Sequence, residues 1–230
     1  MRNGKEMLLA IDTATRMASL ALYDLTKGWF LGEETWSSDN RHTVELMPRI
    51  VRLMDQLEVP PTELTGLAVS LGPGSFTGLR IGLGVAKGLA LARKLPIVGI
   101  PTLEVVARPL MTQRLPIWAI LGAGRGRICV GHYYLYRGRW RRKGDYSLTT
   151  VETLCTQIEE PAVVCGELKA NDVELIRERL GLLVTIASPA ASLRRAAYLA
   201  ELGWERLSRG DADDATSLSP IYLKQPLTDA

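Results

Sequence analysis

Residues 8–35 read LLAIDTATRMASLALYDLTKGWFLGEET, and their pattern decides the fold. Three strand-like runs, 8–13, 18–23 and 29–35, are separated only by the short breaks Thr13-Ala14-Thr15-Arg16 and Thr26-Lys27-Gly28. Consecutive antiparallel hairpins are the economical outcome. Downstream, Val44, Met47, Ile50, Val51, Met54 and Leu57 recur at helical spacing ahead of Pro60-Pro61. A helix tolerates proline only in its first turn, so Pro48 predicts a helix that starts just before it or kinks there. Residues 67–71 read as a buried strand, 77–94 as a helix and 96–100 as a strand, and Thr102 is placed to cap a helix toward Met111. Three strands, then helix, strand, helix, strand, is an α/β layout with an initial meander. It is not the strand–helix alternation of a dinucleotide-binding fold.

This first unit resembles a ribonuclease-H-like lobe. Beyond Pro116 a second lobe is expected: 117–121 and 128–136 read as strands and Arg137-Gly138 as a turn. Residues 151–159 then read as a helix, 162–165 as a buried strand and 172–180 as a helix. The span 190–207 predicts one long helix with Leu193, Ala196, Ala197, Ala200, Leu202 and Leu207 apolar, followed by a loop over 210–219 and a short closing strand or extended segment at 221–223. No internal repeat of fixed period and no low-complexity tract is visible.

With 230 residues the chain suits one large domain or two small lobes. Its 47% hydrophobic and 23% charged residues exclude disordered, collagen-like and disulfide-scaffold classes. A net charge of only +3 argues against nucleic-acid binding over the whole surface. Cys129, Cys155 and Cys165 form no CxxC pair and are odd in number, as expected of reduced cytosolic thiols. With two histidines, His42 and His132, no His-rich metal centre can be assembled. The polar stretch 1–6 reads as a frayed tail, and the apolar run 8–11 is too short for a signal or a membrane span. A cytoplasmic protein is the expectation.

The glycine-rich segment Gly72-Pro73-Gly74-Ser75-Phe76-Thr77-Gly78 follows a buried strand and opens a helix, so free backbone N–H groups converge beside a positive helix end. Two readings fit. An anion can sit there, although neither GxxxxGK[ST] nor GxGxxG is present and no lysine follows. Alternatively, Gly72 and Gly74 permit a tight turn while Ser75 or Thr77 caps the helix. Asp12, at the end of the first strand, is equally suited to serving a metal or phosphate and to capping a turn. Inside the next helix Gly82, Gly84 and Gly88 each cost roughly 1 kcal/mol against alanine. Gly84 and Gly88, four apart, with Ala92 a turn further on, make a smooth face that suits either tight packing on the sheet or a contact between subunits.

Taken together, several stretches resemble the TsaB, or YeaZ, family. They are Leu9-Ala10-Ile11-Asp12-Thr13-Ala14-Thr15, the Arg41-His42-Thr43 start with Leu46 and Pro48, GPGSFTGLRIG at 72–82, Ala86-Lys87-Gly88-Leu89-Ala90, Gly99-Ile100-Pro101-Thr102-Leu103, and Pro220-Ile221-Tyr222-Leu223-Lys224. The likeness spans nearly the whole chain, and GPGSFTGLRIG is its most specific part. It implies an actin-like ATPase (ribonuclease-H-like) fold of two lobes, each with a mixed sheet and helices. The first would span 1–105, completed by a C-terminal helix near 190–209, and the second, smaller lobe 106–189.

The resemblance also implies a non-catalytic subunit that scaffolds TsaD and TsaE. That complex transfers threonylcarbamoyl from its adenylate to N6 of the adenosine following the anticodon in tRNA. ATP is then used by the complex and no cofactor is required by this subunit, which forms a homodimer when alone. Its interface would include Gly82, Gly84, Gly88 and Ala92. The nucleotide-candidate residues are Asp12, Thr13, Gly72, Gly74, Ser75, Thr77 and Gly78, and they would serve the alternative function, a nucleotide-dependent phosphotransferase of the actin-like class. The metal-binding HxxxH of the catalytic subunit is missing, which also removes a metallopeptidase reading. Where family members show Asp-Ala-Arg entering the second-lobe hairpin, this chain has Gly122-Ala123-Gly124-Arg125, and Cys165-Gly166-Glu167 matches the family's second-lobe glycine turn only loosely.

Between residues 125 and 143, Arg125, Arg127, Arg137, Arg139, Arg141, Arg142 and Lys143 occur with no Asp or Glu, interleaved with Tyr133, Tyr134, Tyr136 and Trp140. Such a segment can touch tRNA, and a charged outer hairpin that discourages edge pairing explains it as well. His42 reads as a capping or packing residue, Ser75 has no identifiable base partner, and the cysteines lie in apolar runs as core thiols.

Overall fold

The structure is a computed structural model that describes residues 6–39 and 41–223. The polar stretch 1–5 and Lys224 lie outside the described residues. The chain divides into two compact units, one running through Thr102 and resumed by Arg194–Ile221, the other comprising Leu103–Leu193 with Tyr222 and Leu223.

In the first unit the expected meander forms: β1 (Met7–Asp12), β2 (Met17–Asp24) and β3 (Trp29–Ser37) pair antiparallel. Beyond α1 (His42–Gln56) and α2 (Phe76–Arg93), β4 (Leu64–Gly72) and β5 (Ile97–Pro101) add in parallel, giving the order β3-β2-β1-β4-β5. Strand alternation builds two apolar faces. Met7, Leu9, Ile11, Leu67 and Val69 pack with Leu46, Ile50, Leu53 and Met54 of α1 and Leu83, Ala86 and Ala90 of α2. On the opposite face lies α6 (Ala196–Leu207), so close that a Cβ on its Gly203 would stand 2.6 Å from the Ala68 β-carbon.

Two expectations change. Pro48 sits inside α1, seven residues into a helix that runs unbroken from His42. The lost hydrogen bond falls on an exposed turn, and its cost of about 3 kcal/mol is outweighed by burial of Leu46, Ile50, Leu53 and Met54 at about 1.5–3 kcal/mol each. The apolar residues assigned to one stripe are split as well. Val44, Met47 and Val51 are exposed at 62, 40 and 51%, on the side of α1 away from the core.

The second unit repeats the plan. β6 (Ile117–Gly122), β7 (Arg127–Tyr136) and β8 (Arg139–Thr150) form an antiparallel meander. β9 (Ala162–Gly166) and β10 (Val184–Ile186) extend it in parallel, in the order β10-β9-β6-β7-β8. One face packs on α4 (Val151–Gln157) and α5 (Ala170–Leu180), the other on α3 (Thr102–Ala107) and residues near it. Both sheets follow the ribonuclease-H-like order of an actin-like fold, although no sequence repeat announces the duplication. Even their glycines correspond: Gly72 ends β4 and Gly166 ends β9, both at φ +110°. The Thr102 hydroxyl does not cap α3 as expected; it accepts the Gly72 N–H at 2.9 Å. The long helix expected from 190 begins only at Ala196, since Arg195 is extended.

Gly166 supplies a direct test of this plan. A Cβ there would sit 2.0 Å from the Ile120 carbonyl oxygen, at a φ that side chains rarely adopt. Gly166→Ala is expected to lower unfolding stability by roughly 2 kcal/mol or more, read from denaturant melts; an unchanged midpoint would contradict the backbone contact.

Candidate functional site

The first strand delivers Asp12 to the sheet face that carries Leu8 and Ala10, the side on which α6 packs. Its carboxylate is fully buried and fully committed. Oδ1 accepts from the Ser70 hydroxyl of β4 at 2.9 Å and from the Ala14 N–H at 2.9 Å. Oδ2 accepts from the Arg194 guanidinium at 2.5 Å. Arg194, 3% exposed, also donates to Thr15 Oγ1 and to the Met17 carbonyl, at 3.0 and 2.7 Å. Asp12 thus closes the turn through the Ala14 N–H, as a capping aspartate does, and has Arg194 as its cation. Sequence reasoning missed Arg194, placing it inside a helix; the only signal was a pair of arginines ahead of an apolar helix. Its neighbour explains where that helix begins. Arg195 pairs with Glu33, whose Oε1 accepts the Ala197 N–H at 3.2 Å in the first turn of α6.

The glycine turn and the Thr13–Thr15 bend are brought together as expected, but by closing on each other. Thr13 Oγ1 donates to the Gly78 carbonyl at 2.7 Å, and the Ser75 N–H donates to the Ala14 carbonyl at 2.6 Å. A Cβ at Gly74 would lie 2.3 Å from the Ala14 oxygen, and one at Gly78 would lie 2.2 Å from the Thr13 oxygen. Glycine is needed here for backbone-to-backbone approach. Ser75 is the N-cap, its hydroxyl accepting the Gly78 N–H at 3.2 Å. Gly72 contacts the C-terminal segment, a Cβ there meeting the Ile221 oxygen at 2.6 Å. Thr77 is exposed on the first turn of α2.

The expected interface residues separate into two sets. Gly82 is buried and faces inward, a Cβ there standing 2.2 Å from Thr13 Oγ1, so it belongs to internal packing and not to an interface. Gly84 and Gly88 have nothing within 4 Å of where a Cβ would be, and with Ala92 and Leu91 they lie exposed along α2. Packing against the sheet therefore does not account for them. Beside α2, α1 exposes Val44, Met47 and Val51.

Other candidate groups are quiet. His42 is buried at the start of α1, and desolvation lowers its pKa. Burial pushes the Cys129 thiol up to about 11 and the Cys165 thiol up to about 12, which leaves both protonated and unreactive near neutrality. In the second unit the His132 ring stacks on Trp118 at 4.1 Å, and desolvation lowers its pKa. The two rings border a cleft of about 520 Å³ with Lys143, Asp145, Glu159 and Glu160 on its rim. Among the described residues no three His, Cys, Asp or Glu side chains gather as a metal site, and no helix is long and apolar enough to cross a membrane.

Comparison with known proteins adds the following. The family model described as "TsaD: tRNA N6-adenosine threonylcarbamoyltransferase" matches residues 33–226. The chain is 29% identical over 220 residues to the tRNA threonylcarbamoyladenosine biosynthesis protein TsaB of Bacillus subtilis (strain 168), covering 94% of this chain and 93% of the relative. The Haemophilus influenzae protein of the same name is 26% identical over 235 residues, covering 96% and 94%. Among solved structures, YeaZ from Pseudomonas aeruginosa matches with a TM-score of 0.77 at 26% identity, over 95% of this chain and 100% of that one.

If Asp12 is a structural anion partnered by Arg194, deleting either side strands a buried charge. Asp12→Ala and Arg194→Met should each destabilise the chain by about 3–5 kcal/mol. The double variant should lose clearly less than the sum. Additive losses in a denaturation cycle would show that the two groups act separately.

Proposed function

The chain belongs to the family described as TsaD, tRNA N6-adenosine threonylcarbamoyltransferase, and from that premise we propose that it works in threonylcarbamoyladenosine formation as a non-catalytic, cytoplasmic partner of the transferase, holding TsaD and TsaE together. The observation that carries this reading is the commitment of Asp12. Transfer of threonylcarbamoyl needs groups that hold an adenylate and stabilise charge developing as N6 attacks the carbonyl and AMP leaves. Here the carboxylate at the end of β1 is neutralised by Arg194, and the N-terminus of α2 is packed against the Ala14 and Thr13 carbonyls. The phosphotransferase alternative needs those same groups free. In this reading ATP is a substrate of the complex, and this subunit needs no cofactor.

What the first unit keeps available is a surface. α1 and α2 pack beside each other and expose Val44, Met47 and Val51 on one helix, Gly84, Gly88, Leu91 and Ala92 on the other. Two interior glycines give up about 2 kcal/mol of helix propensity, a cost that a backbone approaching across them offsets. We assign this face to pairing with TsaD, and with a second copy of the chain when TsaD is absent.

With purified TsaD, TsaE, ATP, threonine, bicarbonate, the enzyme that forms the adenylate and tRNA, modification should require this chain. The chain alone should release no phosphate from ATP; phosphate release abolished by Asp12→Ala would reverse the assignment. Gly84→Leu and Gly88→Leu should block association in light-scattering chromatography. The monomer should melt at or slightly above the wild-type temperature, because the added side chains meet no atoms and each gains roughly 0.8 kcal/mol of helix propensity. Intact pairing would remove the helix face from the interface.

A further inference from the structure

The β7–β8 hairpin carries chemistry that a protein-pairing role does not use. Its register sets His132 opposite Lys143, Tyr134 opposite Arg141 and Tyr136 opposite Arg139. Directly opposed residues of an antiparallel pair share a face, so three successive rungs each present one ring and one cation on the same side. That side is fixed by His132, which stacks on Trp118 of the neighbouring strand. Rungs two residues apart repeat at about 7 Å. Arg137-Gly138 closes the hairpin with both residues at positive φ, 48° and 75°, as a two-residue turn of this twist requires. The Arg137 and Arg141 guanidiniums lie over the Tyr136 ring, each 5.3 Å from its centre, and the Tyr134 ring stands beside it at 6.4 Å.

The other face of the hairpin is used internally. Tyr133 is buried and shares a hydroxyl contact with Tyr146 at 3.2 Å, Arg142 lies over the Tyr146 ring, and the Trp140 indole donates to the Met111 carbonyl at 2.8 Å. The basic and aromatic residues that look alike in sequence thus divide into a packed set and an exposed set.

We propose that the outer rungs form a binding site for single-stranded RNA, in which bases replace the guanidiniums over Tyr136 and stack on Tyr134 and Tyr136 while the cations opposite neutralise phosphates. Stacking platforms beside a cationic track are what unpaired nucleic acid requires. β8 is an edge strand, and edge protection alone explains cations there. It does not explain why rings and cations alternate across the ladder on one face. At the inner end Asp145, Glu159 and Glu160 line the cleft beside Trp118 and His132 and repel phosphate, which ends the track there. That the RNA is tRNA rests on the proposed function; the site itself does not.

The test is fluorescence anisotropy of the full chain with a labelled single-stranded RNA, across a salt series. A duplex of the same sequence and polyglutamate serve as comparators. Single-stranded RNA should bind best. Arg139→Ser/Arg141→Ser/Lys143→Ser should reduce the slope of log affinity against log salt by about 2, whereas Arg177→Ser on α5 should leave it unchanged. Tyr134→Ala and Tyr136→Ala should each weaken binding roughly tenfold at unaltered slope, with melting temperatures confirming folded protein. Absence of binding overturns the proposal. So does equal affinity for duplex or polyglutamate with no effect of the tyrosines, which would mark a general acidic-partner surface. Because the assay needs neither TsaD nor TsaE, failure of the modification assay with intact RNA binding would fault the proposed function alone.

Discussion

The first unit depends on a buried ion pair between its second segment and its first strand. Asp12 and Arg194 are 182 positions apart, yet their contact ties β1, β4 and the Thr13–Thr15 bend to the start of α6. Two charges withdrawn from water are costly unless every lone pair and N–H finds a partner. Here Ser70, the Ala14 N–H, Thr15 and the Met17 carbonyl supply those partners. The arrangement returns the chain to its first unit after the second has been completed, and Glu33, holding Arg195 and the Ala197 N–H, orients the helix that follows.

The same constraint shapes the glycine turn. With the bend anchored through Asp12, the α2 N-terminus can approach only if Gly74 and Gly78 offer bare backbone to the Ala14 and Thr13 carbonyls. The turn thereby seats the Thr13–Thr15 bend through backbone contacts that only glycine permits.

What was legible from the sequence was local. Alternation, helical spacing and turn residues placed the meander, the glycine turn with a cap at Ser75 or Thr77, of which Ser75 serves, and the Arg137-Gly138 hairpin turn, because each is decided within a few residues. Periodicity is blind to what an apolar side chain meets, so Val44, Met47 and Val51 read as core when they face outward. It is equally blind to distant partners: an arginine among alanines and leucines, Arg194, read as helix interior. Three-residue β10 was too short to register. The duplicated sheet came only through the family resemblance, since the two units share hydrogen-bonding topology and the glycines Gly72 and Gly166 at matching strand ends, not a repeated pattern of side chains.

The small net charge conceals a further division. The cations between Arg125 and Lys143 are concentrated in one hairpin, while the outward faces of α1 and α2 are dominated by small and apolar side chains. An apolar helix face suits a partner that buries it, whereas arginines alternating with tyrosines on an edge hairpin suit a charged, stackable one. The two surfaces lie in different units, built on the same sheet order. Neither surface draws on the residues that the ion pair consumes, so the chemistry of each is set independently of the contact that orders the first unit's interior.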